Sequence, residues 1–118
     1  MFTLADTIVE SIRAMNLEIV TSNGRVNEDF RQYVEQRLHN GLLRFENRIV
    51  RATVSFLDLS GPYGAEQQCR LVLSFASGGE VSVERRAVSA RLALGRAVET
   101  TCRELRRLLE ARGNRNGA

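Results

Sequence analysis

Three stretches in the middle of the chain repeat apolar residues at every second position, and this period of two constrains the fold more than any other feature. In residues 48–59, Ala52, Val54 and Phe56 point one way, while Arg51, Thr53 and Ser55 point the other. In 67–76, Leu71, Leu73 and Phe75 recur with the same spacing, as do Val81 and Val83 in 80–87. A strand sends successive side chains to opposite faces, so each stretch reads as a strand with one buried face. Ser77-Gly78-Gly79 joins the last two as a tight hairpin turn. Asp58 to Gly64, which includes Gly61-Pro62-Tyr63-Gly64, reads as a loop.

The flanking segments carry the helical period instead. Asn27 is a helix cap, and Glu28 and Asp29 suit the positive end of the helix dipole. Phe30, Val34, Leu38 and Phe45 then share one face with Gly41 between them, and the helix should end near residue 45. Tyr33, Arg37 and Arg44 line one edge of that face. A last helix spans about 91–112, with Leu94, Val98, Leu105 and Leu109 as its apolar stripe and Cys102 at the stripe's edge. Gly113 is a natural stop, and 113–118 reads as a disordered polar tail. Before the first helix, Leu17 and Ile19 alternate with Asn16 and Glu18, giving a strand over 15–21, and Ser22-Asn23-Gly24 is a turn. Residues 1–14 read as an amphipathic helical extension with Leu4, Ile8 and Ile12 at spacing four, able to dock on the domain or on a second copy in a homodimer. The order strand, helix, three strands, helix over 15–112 is that of an α+β two-layer sandwich, both helices covering one face of a mixed or antiparallel sheet.

The residue inventory argues against an enzyme. The chain has one histidine, His39, placed opposite the apolar stripe of its helix and expected in solvent. Cys69 and Cys102 are the only cysteines, both in apolar surroundings, and read as buried small hydrophobes. No Cys or His cluster has metal-ligand spacing, no serine sits in a nucleophile motif, and Gly78-Gly79 is followed by a strand, not by the helix of a phosphate loop. No catalytic residue, cofactor, metal or small-molecule substrate is expected. No apolar run reaches the ~20 residues that span a bilayer. Asp6 and Glu10 make the start unlike a secretory signal, so a cytoplasmic protein with no membrane partner is expected.

Charge is the remaining signal. All 17 basic residues are arginine, a choice that codon usage alone would explain. The guanidinium is nevertheless the stronger phosphate ligand, being planar, bidentate and always charged. Residues 85–118 hold 9 arginines against 3 acids, whereas 1–84 hold 8 against 11, so the positive field concentrates in the last quarter. On the last helix, Arg96, Arg103 and Arg107 form one stripe with Thr100, and Arg106 lies beside it. A solvated helix face laced with charge pairs would look the same. If Arg85 and Arg86 on the preceding strand and Arg37 and Arg44 on the first helix converge with the stripe, RNA-backbone binding is favoured. The phenylalanines fall on core faces and no exposed stacking platform is evident, so contacts to phosphates and shape are expected, not base reading.

From Leu17 to about Ala111 the chain resembles the ribosome hibernation promoting factors, also called ribosome-associated inhibitor A or sigma-54 modulation proteins. The matching stretches are Phe30-Arg31-Gln32-Tyr33-Val34-Glu35, Arg44-Phe45-Glu46-Asn47-Arg48-Ile49-Val50-Arg51-Ala52-Thr53-Val54, Ala97-Val98-Glu99 and Arg103-Glu104-Leu105-Arg106-Arg107-Leu108-Leu109. The resemblance implies a β-α-β-β-β-α domain laid out like a double-stranded-RNA-binding domain, with two helices on one face of a four-stranded sheet. It also implies binding to the ribosomal RNA of the small subunit near the decoding channel, and inhibition of translation in idle or stressed cells. Arg103, Arg106 and Arg107 match the basic end of the family's last helix. The segment Ala93-Leu94-Gly95-Arg96-Ala97-Val98-Glu99 stands where the family usually has Asp-Met-Tyr-Ala-Ala-Ile-Asp. As a short member the chain is not expected to pair two ribosomes unaided. The competing reading is a protein-interaction module that keeps the fold without the ribosome.

Overall fold

The alternating segments pair into one sheet, in which β1 (Leu17–Thr21), β2 (Ile49–Asp58), β3 (Gln67–Phe75) and β4 (Glu80–Ala87) lie side by side in sequence order. The computed structural model describes residues 16–22 and 26–117, with side chains as far as Glu110 apart from residue 46. The expected N-terminal helix and most of the Ser22-Asn23-Gly24 turn lie outside the described residues. β1 runs parallel to β2, with Leu17 opposite Ala52, while β2–β3 and β3–β4 are antiparallel. A parallel pair needs a crossover, and α1 (Glu28–Leu42) supplies it. The sheet is therefore mixed.

α1 starts directly after Asn27, an extended cap residue whose side chain accepts a bond of 2.8 Å from the Phe30 amide. Asn27→Ala should cost about 1 kcal/mol, read as a lower urea midpoint at unchanged slope. α1 gives way to a 3-10 turn, Leu43–Arg48, which carries Phe45 into the core before β2 begins. α2 (Ala90–Gly117) is capped by Ser89, whose hydroxyl accepts from the Leu92 amide. It runs through Gly113 to Gly117, so residues 113–117, read from the sequence as tail, are helical. A glycine inside a helix costs only about 1 kcal/mol and does not oblige it to stop.

Both helices cover one face of the sheet. Val34, Leu38 and Leu42 of α1 and Leu94, Val98 and Leu105 of α2 pack on Ala52, Val54, Leu71 and Leu73. Tyr33, Arg37 and Gly41 meet Arg91, Gly95 and Val98 in the same order, so α1 and α2 lie side by side and parallel. Gly41 is the point of closest approach, and a methyl group there would overlap the Val98 Cγ1. His39 is half-buried rather than solvated, because the edge of α1 that carries it is partly covered.

Cys69 is buried in this core, and desolvation pushes its thiol up to about 12. Cys102 is half-buried, with the Arg106 guanidinium 3.7 Å from its sulfur. Thiol alkylation of the native protein at neutral pH should therefore label Cys102 and spare Cys69, and denaturation should expose both to the reagent. Equal labelling of both native thiols, read by mass, would contradict this packing.

Candidate nucleic-acid interface

The exposed face of the sheet carries Arg51, Arg70 and Arg86, but also Glu18, Glu80 and Glu84. Arg70 stands opposite Glu84 and donates to the Ser82 hydroxyl. This balanced face gives a polyanion little to hold. The helix layer differs.

Ala93, Leu94, Ala97, Val98, Thr101 and Leu105 take the buried side of α2, with the Thr101 hydroxyl donating to the Ala97 carbonyl. That leaves Arg96, Arg103 and Arg107 exposed within an arc of about 40° on the flank towards β4. One bond fixes this orientation: Arg96 Nη1 donates to the Arg86 carbonyl at the end of β4, 2.8 Å away. Arg85 joins the same flank. It stands opposite the buried Cys69, so it points to the helix-covered side of the sheet, yet it remains exposed because β4 is an edge strand. Arg85, Arg96, Arg103 and Arg107 thus form one basic row along α2. Glu104 approaches Arg107 at 3.8 Å, a pair too exposed to neutralise the row.

A second row follows the groove between the helices. The Arg37 guanidinium lies against Gly95, with its Nη2 3.4 Å from where a Cβ would stand. Any larger residue at 95 would compete with the arginine for that space. Arg106 lies on the α1 side of α2, and the exposed Arg44 sits on the 3-10 turn at the same end of the groove. On the helical wheel, Glu99 and Glu110 fall between the two rows.

Arg86 belongs to neither row. Its side chain lies on the other face of the sheet, bonded to Gln68 at 3.1 Å and paired with Glu66 at 3.6 Å. Neighbouring residues of a strand point to opposite faces, so Arg85 and Arg86 cannot serve one surface. Seven of the eight arginines singled out from the sequence therefore fall on the helix layer, divided between two rows, and one does not.

Two contributors escape a reading of the sequence. Arg91 sits 4.5 Å above the Tyr33 ring, tying the start of α2 to α1 by a cation–π contact. Tyr63, at the tip of the β2–β3 loop, is 103% exposed, which corrects the expectation that no aromatic platform is available. Gly61 and Gly64 bond to each other through both backbone amides, and Ser60 bonds to Asp58 and Glu66, so this loop has defined shape. The Ser60 hydroxyl and amide hold the Asp58 carboxyl below its usual range, so this turn keeps its acceptor as pH falls, down to that lowered value.

Among the described residues no group of His, Cys, Asp and Glu could hold a metal ion, and no helix is long and apolar enough to cross a membrane.

The sequence pattern of the sigma 54 modulation protein / S30EA ribosomal protein family matches residues 17–112, which take in all four strands, α1 and most of α2. The chain belongs to this family. Among solved structures it is similar to the N-terminal domain of Thermus thermophilus Protein Y, at TM-score 0.65 and 23% identity, covering 79% of this chain and 98% of that one. It is also similar to a ribosomal subunit interface protein from Coxiella burnetii, at TM-score 0.62 and 10% identity, covering 77% and 97%. At such identities the likeness is one of fold. Among curated proteins the chain has no match. Within the S30EA family the expected β-α-β-β-β-α order therefore holds, and the two arginine rows are the surface this member presents on its helices.

Proposed function

We propose that this protein binds the ribosomal RNA of the small subunit near the decoding channel and thereby inhibits translation in idle or stressed cells. It would act in the cytoplasm as a binding factor, without catalysis. The observation that carries the reading is the placement of Arg85, Arg96, Arg103 and Arg107 on one flank of α2, in a chain whose family is named for a ribosomal protein. Arg37, Arg44 and Arg106 would meet a second line of phosphates. Guanidiniums spaced along a helix engage backbone phosphates and position a protein on folded RNA.

The test is cosedimentation of the purified protein with small ribosomal subunits at low and high salt. Pelleting at low salt that disappears as salt rises is the expected result, since each phosphate contact releases counterions. Binding that stays flat with salt contradicts it.

One feature favours a second reading, a protein-interaction module. Phe45, Phe75, Leu105, Leu108 and Leu109 line an apolar groove at the far end of α2, with Leu108 half exposed. If residues 1–14 fill such a groove across a homodimer, deleting them should change the oligomeric state in solution. An unchanged oligomeric state disposes of a homodimer built through residues 1–14.

A further inference from the structure

The loop between β2 and β3 spends order on a residue that contributes nothing to the core. Tyr63 is 103% exposed and packs on nothing, yet the backbone that carries it is held on every side. The paired Gly61–Gly64 amides, both at 3.1 Å, close the tip. The Leu59 amide bonds to the Glu66 carbonyl at 2.8 Å, and the Glu66 amide to the Ser60 hydroxyl at 3.0 Å. Pro62 fixes its own φ beside the tyrosine. A loop ordered to this degree around a ring left in water is arranged for something that covers the ring.

The surroundings say what that is. Tyr63 shares a concave surface with Arg96 and the end of β4 at Arg86 to Val88, and among the described residues the one acid lining it, Glu66, is paired with Arg86. Arg96 spends one nitrogen on the Arg86 carbonyl, which fixes its side chain while leaving further N–H donors for a ligand, whereas the Arg86 side chain is held on the other face of the sheet by Gln68 and Glu66. α2 begins at the same end of the sheet with no acid in its first turn, so its dipole adds positive potential there. An aromatic face beside a fixed guanidinium matches a nucleotide: the base stacks and the phosphate is bonded. An apolar protein partner would match the ring but leave the Arg96 guanidinium facing it desolvated.

We propose that Tyr63 and Arg96 form a subsite for one unpaired nucleotide of RNA, its base on the tyrosine ring and its phosphate on the Arg96 guanidinium. This rests on the RNA-binding reading and extends it, because Arg96 is shared: the basic row of α2 leads to the subsite at its N-terminal end. The rows grip backbone, and Tyr63 adds a contact that a fully paired helix cannot offer.

The experiment measures binding of a short single-stranded oligoadenylate, a matched RNA duplex and intact small ribosomal subunits to wild type, Y63A, Y63F and R96Q. Tyr63 buries nothing, so Y63A should keep the wild-type unfolding midpoint, which is checked first. Y63A should weaken oligoadenylate binding by roughly 5- to 100-fold, the range for one stacked base, and leave the duplex unaffected. Its log–log salt slope should equal that of wild type, whereas R96Q should lower the slope by about 1. Y63F should bind like wild type. The chain has no tryptophan and two tyrosines, so quenching of tyrosine emission by oligoadenylate should be lost in Y63F although binding persists. Subunit binding that requires Tyr63 while oligoadenylate binding does not would place a protein against the ring and overturn the proposal. So would equal binding of all RNA forms by Y63A and wild type, or no binding of oligoadenylate by wild type. Wild type that binds oligoadenylate through Tyr63 but ignores subunits would instead remove the ribosomal reading and leave the subsite standing.

Discussion

Replacing Arg96, Arg103 and Arg107 together by Ala is expected to weaken binding to small ribosomal subunits by roughly two to three decades near ~0.1 M salt. The size follows from counterion release: each lost phosphate contact lowers the slope of log affinity against log salt by about 0.9, so three should lower it by almost 3. The two effects must appear together. A large loss of affinity at unchanged slope would mean that the variant has misfolded or lost a non-ionic contact. Arg96 also bonds the end of β4, so the unfolding midpoint is measured alongside. The matched control changes Arg51 and Arg70 to Ala, which removes charge from the face that also carries Glu18, Glu80 and Glu84. That variant should bind nearly as wild type. If it loses as much per charge removed, net charge governs association and the flank of α2 has no special part.

How much of this could be read without coordinates depends on how local each signal is. The strands were legible because alternation is written into consecutive residues: Ala52, Val54 and Phe56 are buried as a set, as are Leu71 and Leu73. The cap at Asn27 and the Gly78-Gly79 turn are equally local, and both glycines take positive φ as a tight hairpin demands. The stripe on α2 followed from helix geometry alone. Part of what escaped the sequence depends on which element lies beside which. Arg86 turns away from Arg85 because neighbouring residues of a strand point to opposite faces, an alternation that the expectation of convergence overlooked. Arg37 reads as an edge residue of one helix, but it lies between two because the residue facing it is Gly95. Tyr63 sits in a segment rich in glycine that reads simply as loop, and the paired Gly61–Gly64 amides with the bonds from Ser60 to Asp58 and Glu66 reveal that the tip is held. The placing of Arg37 is a relation between segments distant in sequence, whereas the loop at Tyr63 is held by side-chain bonds that no periodicity announces.

Gly41 shows how one such relation sets the geometry of the whole helix layer, and Gly41→Val is expected to destabilise the domain by about 3 kcal/mol. On an isolated helix the change would be mildly favourable, since glycine is the poorer helix former. In the folded chain the new Cβ meets Val98, whose Cγ1 cannot swing aside because a β-branched side chain in a helix is confined to essentially one rotamer. The helices must separate or Val98 must leave its well. Thermal unfolding should show a drop in Tm on the order of 15 °C. The cause is separated from general damage by a double-mutant cycle. Gly41→Ala should cost about 1–2 kcal/mol in the wild-type background, but stabilise by up to about 1 kcal/mol on a V98A background, where the space has been vacated and the gain in helix propensity remains. Equal effects in both backgrounds would mean that the glycine is needed for its own backbone and not for the approach of α2. The same contact holds Arg44 on the turn after α1 at the end of the groove where α2 carries Arg106. A variant that still folds with its helices apart should therefore lose subunit affinity while keeping every arginine, and keep its salt slope only if the rows still reach the same phosphates.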